Sequence, residues 1–301
     1  MRLQGVLFFP VTPYGPDGDV AEQVLGRHVD AGVTAGAGGV FTACGTGEFN
    51  ALSPDDHTAA VRASVTATAG RVPVFAGAGG TLPQARAQAE AAAAHGADGL
   101  LIMPPYLVSA PPDGLVRYVR EITGAGGLPA IIYQRNNARF SPAAVAELAR
   151  LPEVIGFKDG LGDLDLLQRI ILTVRESAGP DFTFFNGLPT AELTVPAYRG
   201  LGVNLYSSAA FAFAPEVALA FYRAITSGDE DLTRRLLTGF YKPLVELRDQ
   251  VPGYAVSLVK AGVRLRGLDV GGVRPPLVDP SPEHVAELEK IIATGLDIAG
   301  P

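Results

Sequence analysis

The chain has 301 residues, 48% of them apolar and 18% charged, with a formal charge of −7 and a single cysteine, Cys44. That acidic balance, without a run rich in lysine or arginine, excludes nucleic acid or an anionic membrane surface as a partner. One cysteine excludes an intramolecular disulfide and a cysteine-built metal centre.

Near the N-terminus, the only apolar run in residues 1–13 is Val6–Val11, interrupted by Pro10 and followed by Pro13. No later run is long enough to span a bilayer, so a cytoplasmic protein is expected. Eight short β-rich runs are predicted: Gly5–Thr12, Gly39–Ala43, Val72–Gly77, Gly99–Met103, Ala130–Tyr133, Val154–Lys158, Thr183–Asn186 and Val203–Ser207. Helical stretches follow them, starting near Val20, Ser53, Leu82, Pro112, Ser141, Asp163, Pro189 and Pro215. Ser53-Pro54, Ser141-Pro142 and Ser281-Pro282 pair an N-cap serine with proline at the first helical position, where a missing N–H costs nothing.

Eight βα units with near-continuous apolar strands predict an α/β fold, a TIM (β/α)8 barrel over residues 1–227. An open doubly wound sheet would call for a glycine-rich dinucleotide turn after the first strand, and Thr12–Gly18 has no GxGxxG. Residues 228–301 carry no strand signal. Asp229–Asp249, Tyr254–Arg266 and Ser281–Ala299 read as three helices of a C-terminal extension packed on the barrel.

Barrel enzymes place reacting groups at the C-terminal ends of strands. Here those ends are polar: Cys44-Gly-Thr-Gly-Glu-Phe49, Tyr133-Gln-Arg-Asn-Asn137, Lys158-Asp159, Asn186-Gly187 and Tyr206-Ser-Ser208. In Val154–Lys158, alternation puts Val154, Gly156 and Lys158 on one face and Ile155 and Phe157 on the other. If Ile155 and Phe157 pack under helices, Lys158 points inward. A desolvated amine loses its proton more readily and becomes a nucleophile for carbonyls. A solvated rim lysine is the competing reading.

Tyr133 lies at the height of Lys158 on the adjoining strand, about 4.8 Å away, within reach for proton exchange; otherwise it is a core aromatic. Gly45, Thr46 and Gly47 let backbone N–H groups and a hydroxyl converge on a carboxylate, or serve only to reverse the chain. Glu48 and Asp159 read as structural hydrogen-bonding groups, and Cys44 as buried filler. The four histidines, His28, His57, His95 and His284, show neither HxH nor HExxH spacing, so no metal site is expected.

Phe9-Pro-Val-Thr-Pro13, Gly45-Thr-Gly-Glu48, Pro104-Pro-Tyr106, Ile132-Tyr133 and Gly156-Phe-Lys158 occur in an order and spacing that resemble the dihydrodipicolinate synthase / N-acetylneuraminate lyase superfamily. The resemblance covers essentially the whole chain. It implies a Schiff base on Lys158, proton movement by Tyr133, and an α-carboxylate held by Thr46 and Gly47. Two departures stand out: Gly45 occupies the position of the synthases' relay threonine, and Leu107 that of their cross-subunit tyrosine. Together with Tyr133-Gln-Arg-Asn-Asn-Ala138, Phe157-Lys-Asp-Gly-Leu-Gly-Asp163, Asn186-Gly-Leu-Pro189 and Gly253–Lys260, they resemble the 5-dehydro-4-deoxyglucarate dehydratase branch.

That branch implies dehydration and decarboxylation of a keto diacid to 2,5-dioxopentanoate. Arg135, Asn136, Asn137 and Asn186 are then candidates for the distal end of the substrate, and Ser208 for a hydroxyl contact. It also implies no metal or organic cofactor, a small keto-acid partner, and a homo-oligomer (dimer or tetramer). A retro-aldol lyase releasing pyruvate and a non-catalytic keto-acid-binding barrel are the alternatives.

Overall fold

The structure, a computed structural model, describes residues 3–300. Parallel strands β1 (Leu7–Phe8), β2 (Gly39–Thr42), β3 (Val74–Gly80), β4 (Gly99–Pro105), β5 (Ala130–Gln134), β6 (Val154–Asp159), β7 (Thr183–Asn186) and β8 (Leu205–Ser208) pair in chain order. The ring closes where Leu7 and Phe8 of β1 meet Ser207 and Ser208 of β8. Between strands run α1 (Glu22–Ala35), α2 (Pro54–Thr68), α3 (Leu82–Ala94), α4 (Pro112–Gly126), α5 (Pro142–Leu148), α6 (Leu164–Ala178) and α7 (Val195–Gly200), and α8 (Pro215–Ser227) follows β8. Helix starts are chemically marked. Ser53 forms a capping box with Asp56, and Ser141 and Asp163 each accept the N–H of the residue three positions on.

Strand residues bury both faces. Leu7, Phe9, Phe41, Phe75, Leu101, Ile131 and Phe185 fill the barrel, and the Phe9, Phe41 and Phe75 rings stack with centroids 4.7 and 4.9 Å apart. Outward residues such as Leu100, Ile132 and Phe157 pack beneath the helices. At roughly 1.5–3 kcal/mol for each fully buried large apolar side chain, this double burial is the main force closing the barrel.

Within the barrel, three local expectations need correcting. β1 is two residues long rather than Gly5–Thr12, because Pro10 and Pro13 have no N–H for a ladder and the Thr12 hydroxyl donates instead to the Gly47 carbonyl at 2.7 Å. β6 contains a bulge: Ala130 pairs with Val154 but Ile131 with Gly156, which leaves Ile155 over. Ile155 therefore leans on the interior cluster while Val154 packs outside, the reverse of simple alternation; Phe157 does pack under the helices. The helix after β7 begins at Val195, behind a Pro189-Thr190 turn and the short 3-10 turn Ala191–Thr194, rather than at Pro189.

Beyond α8 come α9 (Glu230–Leu236), α10 (Lys242–Arg248), α11 (Tyr254–Leu265) and α12 (Pro282–Ala299). The stretch expected as one helix over Asp229–Asp249 is α9 and α10 joined by a π-helical turn, Leu237–Tyr241. Phe240, Tyr241, Leu247, Leu258 and Leu288 of this extension share one apolar cluster with Phe8, Phe211 and Phe221 of the barrel. Among the described residues no helix is long and apolar enough to cross a membrane.

Candidate active site

A cavity of about 610 Å³ opens at the C-terminal end of the strands. Its base holds Lys158. The residue is 4% exposed, and its Nζ lies over the rings of Phe9 and Tyr133, 4.2 and 4.4 Å from their centroids, and 5.6 Å from that of Phe185. No acceptor bonds this Nζ among the described residues. Faces of aromatic rings favour an ammonium weakly, but loss of water weighs more: burial, with the nearby Arg135 charge adding to it, lowers the pKa from 10.5 to about 7. Roughly half of the amine is then free at neutral pH. The lysine stem also explains Gly187, whose absent Cβ would lie 2.5 Å from Lys158 Cγ and Cε.

Tyr133 pairs with Lys158 across β5 and β6. Its hydroxyl donates to the Gly187 carbonyl at 3.1 Å and accepts from Arg135 Nη1 at 2.9 Å. Burial raises the phenol's pKa above 10.0, with Arg135 opposing the shift, so the resting group is a phenol. A carbonyl carbon bonded to Lys158 Nζ therefore sits beside a proton donor, not a ready-made base.

Gly45–Gly47 form a single 3-10 turn, and Glu48 reverses the chain in a left-handed conformation with φ 57° and ψ 40°. Glu48 is clamped from the extension: Oε1 accepts from Lys260 Nζ of α11 at 2.7 Å and Oε2 from the Arg274 backbone N–H at 2.8 Å. Gly45 and Thr46 line the cavity, as do Arg135, Asn136 and Asn137. Gly47 stands behind the wall, its carbonyl taken by Thr12.

Two further expected contacts do not reach the cavity. Asn186 is fully buried on the outer face of β7; its Nδ2 donates to Ala191 O and Thr194 Oγ1, and its Oδ1 accepts from Leu188 N. Ser208 likewise faces outward, donating to Glu192 Oε1 at 2.5 Å. The cavity receives Ser207 in its place, since Ser207 shares a face with inward-leaning Leu205. That parity was available in the sequence. No sequence signal marked Thr190 or Arg248, which also line the cavity from the β7–α7 turn and the extension; Tyr254, within the Gly253–Lys260 stretch that carries the resemblance, lines it too, though the resemblance implies no role for it.

Asp159 is buried and structural. It accepts from Gln134 Nε2, from the N–H groups of Leu161 and Gly162, and from the Tyr198 hydroxyl. Cys44 is wholly buried, and burial pushes its thiol up to about 12. Among the described residues no group of three or more His, Cys, Asp and Glu is placed to hold a metal ion.

Residues 2–294 match the Dihydrodipicolinate synthetase family. A probable 5-dehydro-4-deoxyglucarate dehydratase of Streptomyces griseus subsp. griseus is 61% identical over 292 residues, covering 97% of this chain and 91% of that protein. Among solved structures, dihydrodipicolinate synthase from Bacillus clausii superposes with a TM-score of 0.87 at 25% identity, covering 97% of each chain. A prophage protein of the dihydrodipicolinic acid synthase family from E. coli K12, solved in complex with pyruvate, gives a TM-score of 0.84 at 26% identity, covering 98% of this chain and 99% of that one. With its barrel, its strand-end lysine and tyrosine and this near full-length match, the chain belongs to the dihydrodipicolinate synthetase family.

Proposed function

We propose that the protein is a Schiff-base dehydratase that converts 5-dehydro-4-deoxyglucarate to 2,5-dioxopentanoate, CO2 and water. The observation that carries this reading is the pairing of a desolvated Lys158 with Tyr133 in a cavity whose charged walls are all basic. The 61% identity to a probable dehydratase of that name supports the choice of substrate.

Neutral Lys158 adds to the ketone. Tyr133 gives its proton to the departing carbinolamine hydroxyl, which leaves as water, and the iminium that forms stabilises the resulting phenolate. This removes the need for a resting phenolate, which burial disfavours. The phenolate takes a proton from the methylene beside the iminium, and returns it to the hydroxyl leaving from the next carbon. A second water departs and a double bond conjugated with the iminium remains. The bond to the far carboxylate then breaks, CO2 leaves, and its electron pair runs through the conjugated chain to the nitrogen. One proton from solvent restores the iminium, the enol left at the far end becomes the aldehyde, and water adds to release product. Phenolate accepts a proton from that water, which resets both residues.

In this reading Thr46 and the N–H groups of Gly45 and Thr46, both of which line the cavity, hold the keto-acid carboxylate. Asn136, Asn137 and Ser207 are available to the substrate hydroxyls. Because Lys158 itself becomes the electron sink, this chemistry calls for no metal or organic cofactor. We extend the reading to a homo-oligomer, supported by exposed apolar Tyr106, Leu107 and Val108 on one loop, and tested by sedimentation.

The test is product analysis on the keto diacid. Equal amounts of CO2 and 2,5-dioxopentanoate are expected. Pyruvate in their place would assign a retro-aldol lyase, and saturable binding without turnover a keto-acid-binding barrel.

A further inference from the structure

Three charged side chains line the cavity, Lys158, Arg135 and Arg248, and no carboxylate lines it among the described residues. In a chain of net charge −7, such a wall concentrates positive potential where an anion binds. Two of the three cations have tasks: Lys158 is consumed in the covalent bond, and Arg135 is tied to the Tyr133 hydroxyl. Arg248 is the remaining one.

Arg248 closes α10, so the helical extension delivers it to the barrel mouth. Its Nη1 donates to Pro189 O and to Thr190 Oγ1, both at 3.0 Å, and its Nε pairs with Asp249 at 2.8 Å. Nη2 has no acceptor among the described residues. The side chain is 18% exposed, while that of Asp249 is 62% exposed and does not line the cavity. A second observation marks the same place. Thr190, a β-branched residue, is held at φ 50° and ψ 61°, a conformation such residues rarely adopt. Strain of this kind persists where the surroundings impose it, and functional sites are where it collects. The guanidinium latches this turn, and its Nη2 is left without a protein acceptor among the described residues, on a side chain that lines the cavity.

We infer that Arg248 is the receptor for the substrate's far carboxylate, which makes the cavity selective for keto diacids over keto monoacids. This rests on the Schiff-base reading above. An arginine bound to a carboxylate that departs as CO2 stabilises the reactant more than the transition state, so Arg248 contributes to binding rather than to the chemical step.

The probes are 2-oxoadipate and 2-oxohexanoate, six-carbon keto acids that differ at the far end and lack the hydroxyl needed for dehydration. Each is trapped on Lys158 with borohydride, in competition, and the two adducts are resolved by mass. Wild type is expected to favour the diacid by about tenfold or more, a ratio that Arg248→Gln reduces by about tenfold, as loss of a charge-assisted pair implies. Arg248→Lys is expected to retain part of the preference as a point charge. On the hydroxylated diacid, KM should rise about 10- to 100-fold in Arg248→Gln with kcat within about threefold. Equal loss of both adducts would reduce Arg248 to a brace for the Pro189-Thr190 turn and overturn the inference. An unchanged ratio would overturn it as well. Absence of any adduct in wild type would instead remove the Schiff-base reading, and this inference with it.

Discussion

Replacing Lys158 by methionine abolishes the nucleophile and is expected to make the protein more stable. The folded site lowers the lysine's pKa from 10.5 to about 7, mainly by burial. At about 1.4 kcal/mol per tenfold change in the protonation equilibrium, holding this amine in its apolar cage costs on the order of 4–5 kcal/mol. The sign follows from proton counts. Between pH 7 and 10.5 the unfolded chain carries a proton that the folded chain lacks, so wild-type stability rises with pH across that window; below 7 the full penalty is present. Methionine has a similar unbranched length and no charge, so it escapes the penalty at every pH. Urea denaturation of both proteins at about pH 6.5 and about pH 9.5 reads the effect. The advantage of Lys158→Met should be largest at the lower pH and shrink by roughly 3 kcal/mol at the higher one. A variant no more stable than wild type, or a gap that does not change with pH, would refute a desolvated amine at this position.

Lys260→Met leaves Glu48 buried without its ion-pair partner, at side-chain exposures of 0% and 1% in the intact pair. A loss of about 3–5 kcal/mol in urea denaturation is expected, with partial recovery in Lys260→Met/Glu48→Gln. Tyr133→Phe removes the proton carrier while keeping the ring beside Lys158. Turnover of the diacid should fall about 10²- to 10⁴-fold, while borohydride still traps a pyruvate adduct; unimpaired turnover would remove Tyr133 from the proton path. The rate of pyruvate adduct formation should rise with pH and be half-maximal near pH 7, where Lys158 loses its proton. A midpoint near 10 would mark a solvated lysine.

Much of the barrel could be read from local pattern, because strand burial, serine caps and strand-end polarity are encoded within a few residues of each other. Lys158 was legible for that reason: Phe157 packs outside and the lysine points in. The first half of the same strand was not. The bulge at Ile155 reverses the faces of Val154 and Ile155, and it depends on how β5 pairs, which no window of β6 contains. Asn186 and Ser208 were misplaced by looking for polar residues at strand ends without asking which face each occupies; alternation from Leu205 points to Ser207. The extension's part in the site was invisible because it is non-local. Glu48 meets Lys260 across 212 positions, and Arg248 meets Thr190 across 58.

The most direct test of the account is intact-protein mass spectrometry after incubation with 5-dehydro-4-deoxyglucarate and borohydride, with Lys158→Ala alongside. A wild-type adduct whose mass reflects loss of water and CO2 from the bound diacid, absent in Lys158→Ala, is the expected result. A three-carbon pyruvyl adduct would contradict the dehydratase reading, and an adduct that persists in Lys158→Ala would contradict the role given to Lys158.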